Sequence, residues 1–419
     1  MRIFSLPFLF LLVFIFFAPS NNKVHGQNST YPGFRVTGYY KHITIPIEVI
    51  HNLLIIKLRI NGSPELRFIL DTGVENTVIT EPAILPLINV RKVEGRKVAL
   101  TGVGEESFIE AGISINNRID IGNMIEGKYL QLLILPQGLI DFSGVVGQTV
   151  YGIIGHDFFR DFIVKIDYGQ KKLVLINPKK FKKSLKKYRQ LPLKIANGKP
   201  YTPIEVVHSN ADTTIHEILI DTGSSHALSL DPRLVSVPQH AQHTFLGTGM
   251  GGDIYGYLGR VKALNLPNYS FSQVITTYPD TSALKPSFDT SNTWNGIVGG
   301  EVLRRFTLIF NYNEGILALK PNAQVKRPFS NNLSGLEVVA QGVNFNQFII
   351  QYIRPNSAAA KAGLQQNDQI LSINGTPLTS IGELYYILDK RVGKKCCLTI
   401  KQHQTQQQKR ICFVLSDEL

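Results

Sequence analysis

Two stretches of this chain recur in the same order, and that duplication limits the possible folds more than any single motif. Phe68-Ile69-Leu70-Asp71-Thr72-Gly73 returns 150 positions later as Ile218-Leu219-Ile220-Asp221-Thr222-Gly223. Gly152-Ile153-Ile154-Gly155 returns 144 positions later as Gly296-Ile297-Val298-Gly299. Two similar offsets in one order mark an internal repeat. Each copy then enters a strand-rich tail, 162–176 and 306–319, broken by a turn at Tyr168-Gly169 or at Asn313-Glu314-Gly315. Upstream, 53–60 leads through Asn61-Gly62 into 66–70, which predicts a β-hairpin. The first half is placed at 27–178. The second is placed at 179–322, with 179–189 as a linker.

Composition sets the remaining bounds. Of 419 residues, 43% are hydrophobic and 18% charged, which excludes wholesale disorder and a coiled coil. The three cysteines, Cys396, Cys397 and Cys412, lie too far along the chain to staple the duplicated halves. One disulfide with a leftover thiol and three buried thiols both fit their spacing, and a four-ligand zinc site cannot be made from them alone. His240 and His243 sit beside Pro238 and Gly247, which favours surface histidines over a metal site. No metal and no cofactor is expected.

Residues 1–26 read as a signal peptide: Arg2, an apolar run from Ile3 to Ala18, then small side chains near Gly26. The run is shorter than the roughly 20 residues of a spanning helix. An uncleaved anchor is the alternative. The mature chain is expected to be exported, whether periplasmic, envelope-associated or secreted. The formal charge of +13 falls to +11 without Arg2 and Lys23, and seven of the eleven residues 179–189 are Lys or Arg. With only Phe181 and Tyr188 interleaved, this run reads as a solvated linker and not a nucleic-acid groove; peripheral contact with an anionic envelope is an incidental partner.

Asp-Thr-Gly after an apolar strand delivers a partly desolvated carboxyl, a hydroxyl for local bonding and a glycine that permits a tight turn. One such triplet is most often a turn whose carboxylate caps nearby amides. Two triplets in a duplicated fold meet at the pseudo-twofold axis, which would bring Asp71 and Asp221 together. Adjacent carboxyls cannot both ionise cheaply, so the pair holds one proton over a broad pH range and can act as both base and acid. Ser224 follows the second triplet where Val74 follows the first. A hydroxyl beside Asp221 alone predicts an asymmetric pair, with Asp221 charged, Asp71 protonated and a mildly acidic optimum. Ser224 and Ser225 have no identifiable base that would make either a nucleophile.

At these residues the chain resembles the aspartic peptidases: Asp71 to Ile79 is similar to the retropepsin active-site loop, and Asp221 to Ser225 to the pepsin one. The resemblance covers nearly all of 50–322. It implies a mainly β fold, a bilobal pseudo-twofold pair of acid-protease β-barrels, with Asp71 and Asp221 as catalytic residues. Thr72, Gly73, Thr222, Gly223 and Ser224 would support the dyad. Ile154-Gly155 and Val298-Gly299 match the family's hydrophobic-glycine elements beneath the active-site loops. Glycine-rich flaps are expected at 100–106, with Gly102 and Gly104, and at 246–252, with Gly247 and Gly249. Tyr255 is near but receives no role.

After a linker at 323–332, residues 333–419 change rhythm. Ser334-Gly335-Leu336-Glu337-Val338, 357–364 and 368–375 resemble a circularly permuted, bacterial-type PDZ domain, a small α+β fold. The resemblance implies that Ser334, Gly335, Leu336, Glu337 and Val338 bind a peptide or C-terminal tail as an added strand. The combined expectation is an aspartic endopeptidase acting on protein or peptide substrates that its PDZ domain recruits, with one chain able to hold the whole dyad as a monomer. The competing expectation is a peptide-binding scaffold that does not cut.

Overall fold

A computed structural model describes residues 32–38, 40–104, 108–178, 181, 185–284, 295–389 and 392–419, with the main chain of 13–15. Except for 13–15, the expected signal peptide 1–26 lies outside the described residues, as do Glu105 and Glu106 of the first flap segment and most lysines of the basic run. Strand dominates the fold, which consists of several sheets.

The duplication is visible strand by strand. In the first half, Leu53–Ile60 and Leu66–Leu70 form the antiparallel hairpin expected from Asn61-Gly62, both of which have positive φ (49° and 83°). Leu66–Leu70 also pairs in parallel with Gly152–Ile154, which is antiparallel to Thr77–Ile79. The second half repeats this arrangement: Thr213–Ile220 runs parallel to Gly296–Val298, which is antiparallel to Leu228–Leu230. A glycine opens each inner strand because nothing larger fits. A Cβ on Gly152 would lie 2.1 Å from the Val78 carbonyl oxygen, and one on Gly296 would lie 2.4 Å from that of Ser229.

A six-stranded sheet joins the halves. Ile163–Asp167 and Phe306–Asn311 pair antiparallel across its centre, Val164 opposite Phe310 and Asp167 opposite Thr307. Each is flanked by its own hairpin partner, Lys172–Ile176 or Ile316–Pro321, and then by a strand from near the start of its own half, His42–Pro46 or Arg189–Pro192. This is the two-fold pattern that equal halves generate. Phe158, Phe159, Phe306 and Phe310 are fully buried in one apolar cluster running from the first half through this sheet into the second.

Residues from Leu336 onward form a separate sheet with its own core. Its two short helices, Ala358–Lys361 and Ile381–Leu388, start at Ser357 and Ser380, whose hydroxyls accept from the third amide of each helix. Cys397 and Cys412, directly opposite on Lys395–Lys401 and Gln408–Val414, form a disulfide, leaving Cys396 as a buried thiol.

Candidate active site

In each half the strand parallel to the glycine-opened one delivers its aspartate to the junction between the halves. Leu66–Leu70 ends at Asp71 and Thr213–Ile220 at Asp221, and both aspartates are 0% exposed. The main chain of the hydrophobic-glycine elements holds them there. Asp71 N–H donates to the Ile154 carbonyl at 2.9 Å, and Asp221 N–H to that of Val298 at 3.0 Å. Gly155 and Gly299 pass directly under the two loops: an added Cβ would stand 2.2 Å from the Val74 carbonyl oxygen and 2.5 Å from that of His226.

The threonines lock the halves reciprocally. Thr72 Oγ1 donates to the Ile220 carbonyl (2.6 Å) and accepts from Thr222 N–H (3.0 Å). Thr222 Oγ1 donates to the Leu70 carbonyl (2.8 Å) and accepts from Thr72 N–H (3.1 Å). The carboxyls cross in the same way. A Cβ on Gly223 would fall 2.2 Å from the Asp71 carboxyl carbon, and one on Gly73 would fall 3.1 Å from Asp221 Oδ1. Gly73 N–H donates to Asp71 Oδ1 at 2.5 Å and Gly223 N–H to Asp221 Oδ1 at 2.8 Å.

Burial raises both carboxyls, and the two differ. Asp71 is pushed well above the carboxylate range by desolvation and then by the neighbouring Asp221 charge. Desolvation also raises Asp221, but to about 6, because its contact with Asp71 and the Gly223 and Ser224 amides favour the anion. Burial and mutual repulsion together favour one proton shared by the pair. The hydroxyl expected beside Asp221 is not what favours its anion. Ser224 Oγ has no hydrogen-bond partner among the described residues and lies against Gly299, 2.8 Å from where a Cβ would be, so the main-chain amide of Ser224 and not its hydroxyl faces Asp221.

The candidate flap segments meet each other. Gly251 N–H donates to the Val103 carbonyl (3.1 Å), and a Cβ on Gly104, at φ +143°, would collide with the Gly251 carbonyl carbon at 2.3 Å. Gly102 ends the strand Lys97–Gly102, while Gly247 and Gly249 lie in Gln242–Gly249. Between these tips Met250 is buried in the first half's apolar cluster with Leu53, Val74 and Leu100. The two segments touch, and both aspartates are unexposed. Tyr255 packs against Phe245 and Tyr352, with ring centroids 5.6 and 6.3 Å away.

Several neighbours of the dyad escaped the sequence reading. The turn His51-Asn52 crosses to the second half, where Asn52 Nδ2 donates to the Ser225 carbonyl (2.9 Å) and to Glu301 (3.1 Å). Its counterpart Asn197-Gly198 crosses the other way onto His156 and Glu75. Lys199 follows, 2% exposed. Tyr168 is buried and Tyr312 partly buried; the hydroxyls of both are enclosed without a hydrogen-bond partner among the described residues, and both are raised by desolvation and then by the dyad's charge. Their spacing of 144 equals that of the glycine elements and was the available signal.

In the C-terminal domain, the residues expected to bind peptide are already engaged. Asn332 Oδ1 accepts from the Ser334 hydroxyl (2.8 Å) and from the Ser334 and Gly335 amides (both 3.1 Å), while Ser334 Oγ accepts from Leu336 N–H (3.1 Å). The Tyr385 hydroxyl accepts from Val338 N–H (2.8 Å) and donates to its carbonyl (3.3 Å), so it occupies the free edge of Leu336–Gln341. Burial raises Glu337 to about 8. The His51 ring abuts Tyr385 edge-on at 5.5 Å, and a Cβ on Gly147, at the end of helix Phe142–Val146, would lie 2.7 Å from Ile381 Cγ2. The first half therefore covers this groove.

Comparison with known families agrees with both parts. Residues 56–158 match the aspartyl protease family model, and residues 349–402 match a PDZ domain. No curated protein matches the chain.

Proposed function

From a chain that carries an aspartyl protease domain and, near its C-terminus, a PDZ domain, we propose an exported endopeptidase in which Asp71 and Asp221 activate water against a peptide bond. The observation that carries this reading is the reciprocal burial of the two carboxyls, each against the other triplet's glycine. With the flaps parted, ionised Asp221 takes a proton from a water molecule bound between the carboxyls. The water oxygen attacks the peptide carbonyl carbon while Asp71 gives its proton to the carbonyl oxygen. The resulting diol collapses: Asp71 takes a proton back from one of its hydroxyls as the carbonyl re-forms, the C–N bond breaks, and the proton on Asp221 passes to the leaving amine. The dyad returns with one proton, and the reaction needs neither a metal nor a covalent intermediate.

The closed flaps favour a second reading, a peptide-binding scaffold without hydrolysis, because a dyad that is 0% exposed must open before any substrate enters. Incubating an unfolded protein with the chain over a pH series, with and without a statine inhibitor, separates the two. Inhibitor-sensitive fragments, formed best at mildly acidic pH, support the peptidase. Binding without fragments at any pH supports the scaffold.

The PDZ domain would recruit substrate by exchange: a peptide carboxylate displaces Asn332 Oδ1, and its main chain displaces the Tyr385 hydroxyl. Tyr385→Phe removes one competitor worth about 1 kcal/mol, so it should tighten binding of a labelled peptide with a free carboxyl terminus by about fivefold. Fluorescence anisotropy reads this. Binding that is equal in both proteins, or weaker in the variant, argues against this groove.

A further inference from the structure

The halves diverge at one buried position beside the dyad. In the first half Ile55 stands opposite Ile69, so continuing the register by two residues places Leu53 opposite Asp71. In the second half Tyr201 stands opposite Leu219, and the same step places Lys199 opposite Asp221. A two-residue step keeps a side chain on the same face of a strand. Leu53 and Lys199, 0% and 2% exposed, therefore occupy equivalent places on the two sides of the dyad, one apolar and one cationic.

We propose that Lys199 is a positioning residue that supplies the counter-charge to the dyad, stabilising its singly protonated form and setting the acid limit of activity. This rests on the peptidase reading. A dyad holding one proton is a single negative charge, and an isolated buried charge is costly unless an opposite charge lies near it. Lys199 brings one positive charge to the same enclosed space. The charged groups facing it are Asp71, Asp221 and Glu75, each of which favours its protonated form, while burial lowers it to about 7. In turn Lys199 lowers both dyad carboxyls. Around them, Tyr201 joins Tyr168 and Tyr312 in facing the dyad's charge, and Arg304 acts on Tyr168. His156 and Asp157 lie beyond Gly198 and Glu75.

Because Lys199 favours the dyad's anion, removing it makes the first proton harder to lose. Lys199→Leu, which installs the side chain its counterpart already carries, should move the acid limb of kcat/KM upward by about one to three pH units. A lysine serving only as packing would lower stability and leave the limb in place; a folded variant with the wild-type limb overturns the proposal. Folding of the variant is not required for the second arm, carbon NMR of the intact protein with labelled lysine Cε. One lysine should titrate well below the usual value near 10.4, and Asp221→Asn should move it lower still by removing a favourable charge. If no lysine resonance responds to Asp221→Asn, the proposal fails. If the Asp variants keep cleavage, the dyad reading fails on its own, whatever the lysine does.

Discussion

Asp71→Asn and Asp221→Asn should each reduce kcat by at least about 10²–10⁴-fold, the range expected when a positioned acid–base group is lost. Asparagine keeps the shape of the side chain and one oxygen to accept the Gly73 or Gly223 amide. It cannot carry the shared proton, so neither proton transfer has a route. Stability distinguishes this loss from misfolding. Burial raises Asp221 from its ordinary 3.8 to about 6, so its folded pKa exceeds its unfolded one. Its contribution to stability is fully present below about 3.8 and is lost as pH rises through about 6. Asp221→Asn should therefore be no less stable than wild type at pH 7 and should lose part of the stability gain on acidification, as read by urea unfolding at several pH values. Full activity in both variants would exclude the shared dyad, and loss in only one would point to a different arrangement.

Thr72→Val should destabilise the chain by about 2–6 kcal/mol. The substitution preserves shape but leaves the Ile220 carbonyl and the Thr222 amide buried without their partner, at about 1–3 kcal/mol each. Thr72→Ser keeps the hydroxyl and should recover most of the loss. The bonds cross between halves, so the valine variant should also lose activity out of proportion to the fraction unfolded, because the crossing bonds fix how the two aspartates face each other. Guanidinium unfolding combined with activity of the folded fraction checks both effects. A valine variant as stable as wild type would mean that the crossed threonines do not hold the halves together.

The hairpin at Asn61-Gly62, the strands that end at Asp71 and Asp221, and the glycine elements were legible because local chemistry specifies them. Apolar runs bounded by turn residues make strands, and a glycine is needed wherever two main chains nearly touch. The contrast of Val74 with Ser224 pointed to a hydroxyl beside Asp221, but that hydroxyl turns toward Gly299 instead, a packing choice that no local pattern records. The PDZ resemblance identified Ser334 to Val338, but the Asn332 and Tyr385 side chains that occupy them come from a flanking residue and a distant helix.

The order of residues alone determined the duplication, the strand ends that carry the two acids, and the presence of a second kind of domain after the repeat, because each depends on neighbours within a few positions. Only the tertiary structure decided that the acids share one enclosure, that Met250 of the second glycine-rich segment is buried in the first half's apolar cluster, and that Lys199 stands opposite Asp221 where the other half places Leu53. Burial and proximity between residues some 150 positions apart raise the carboxyls and lower the lysine, and charge felt through space leaves no local pattern in a sequence.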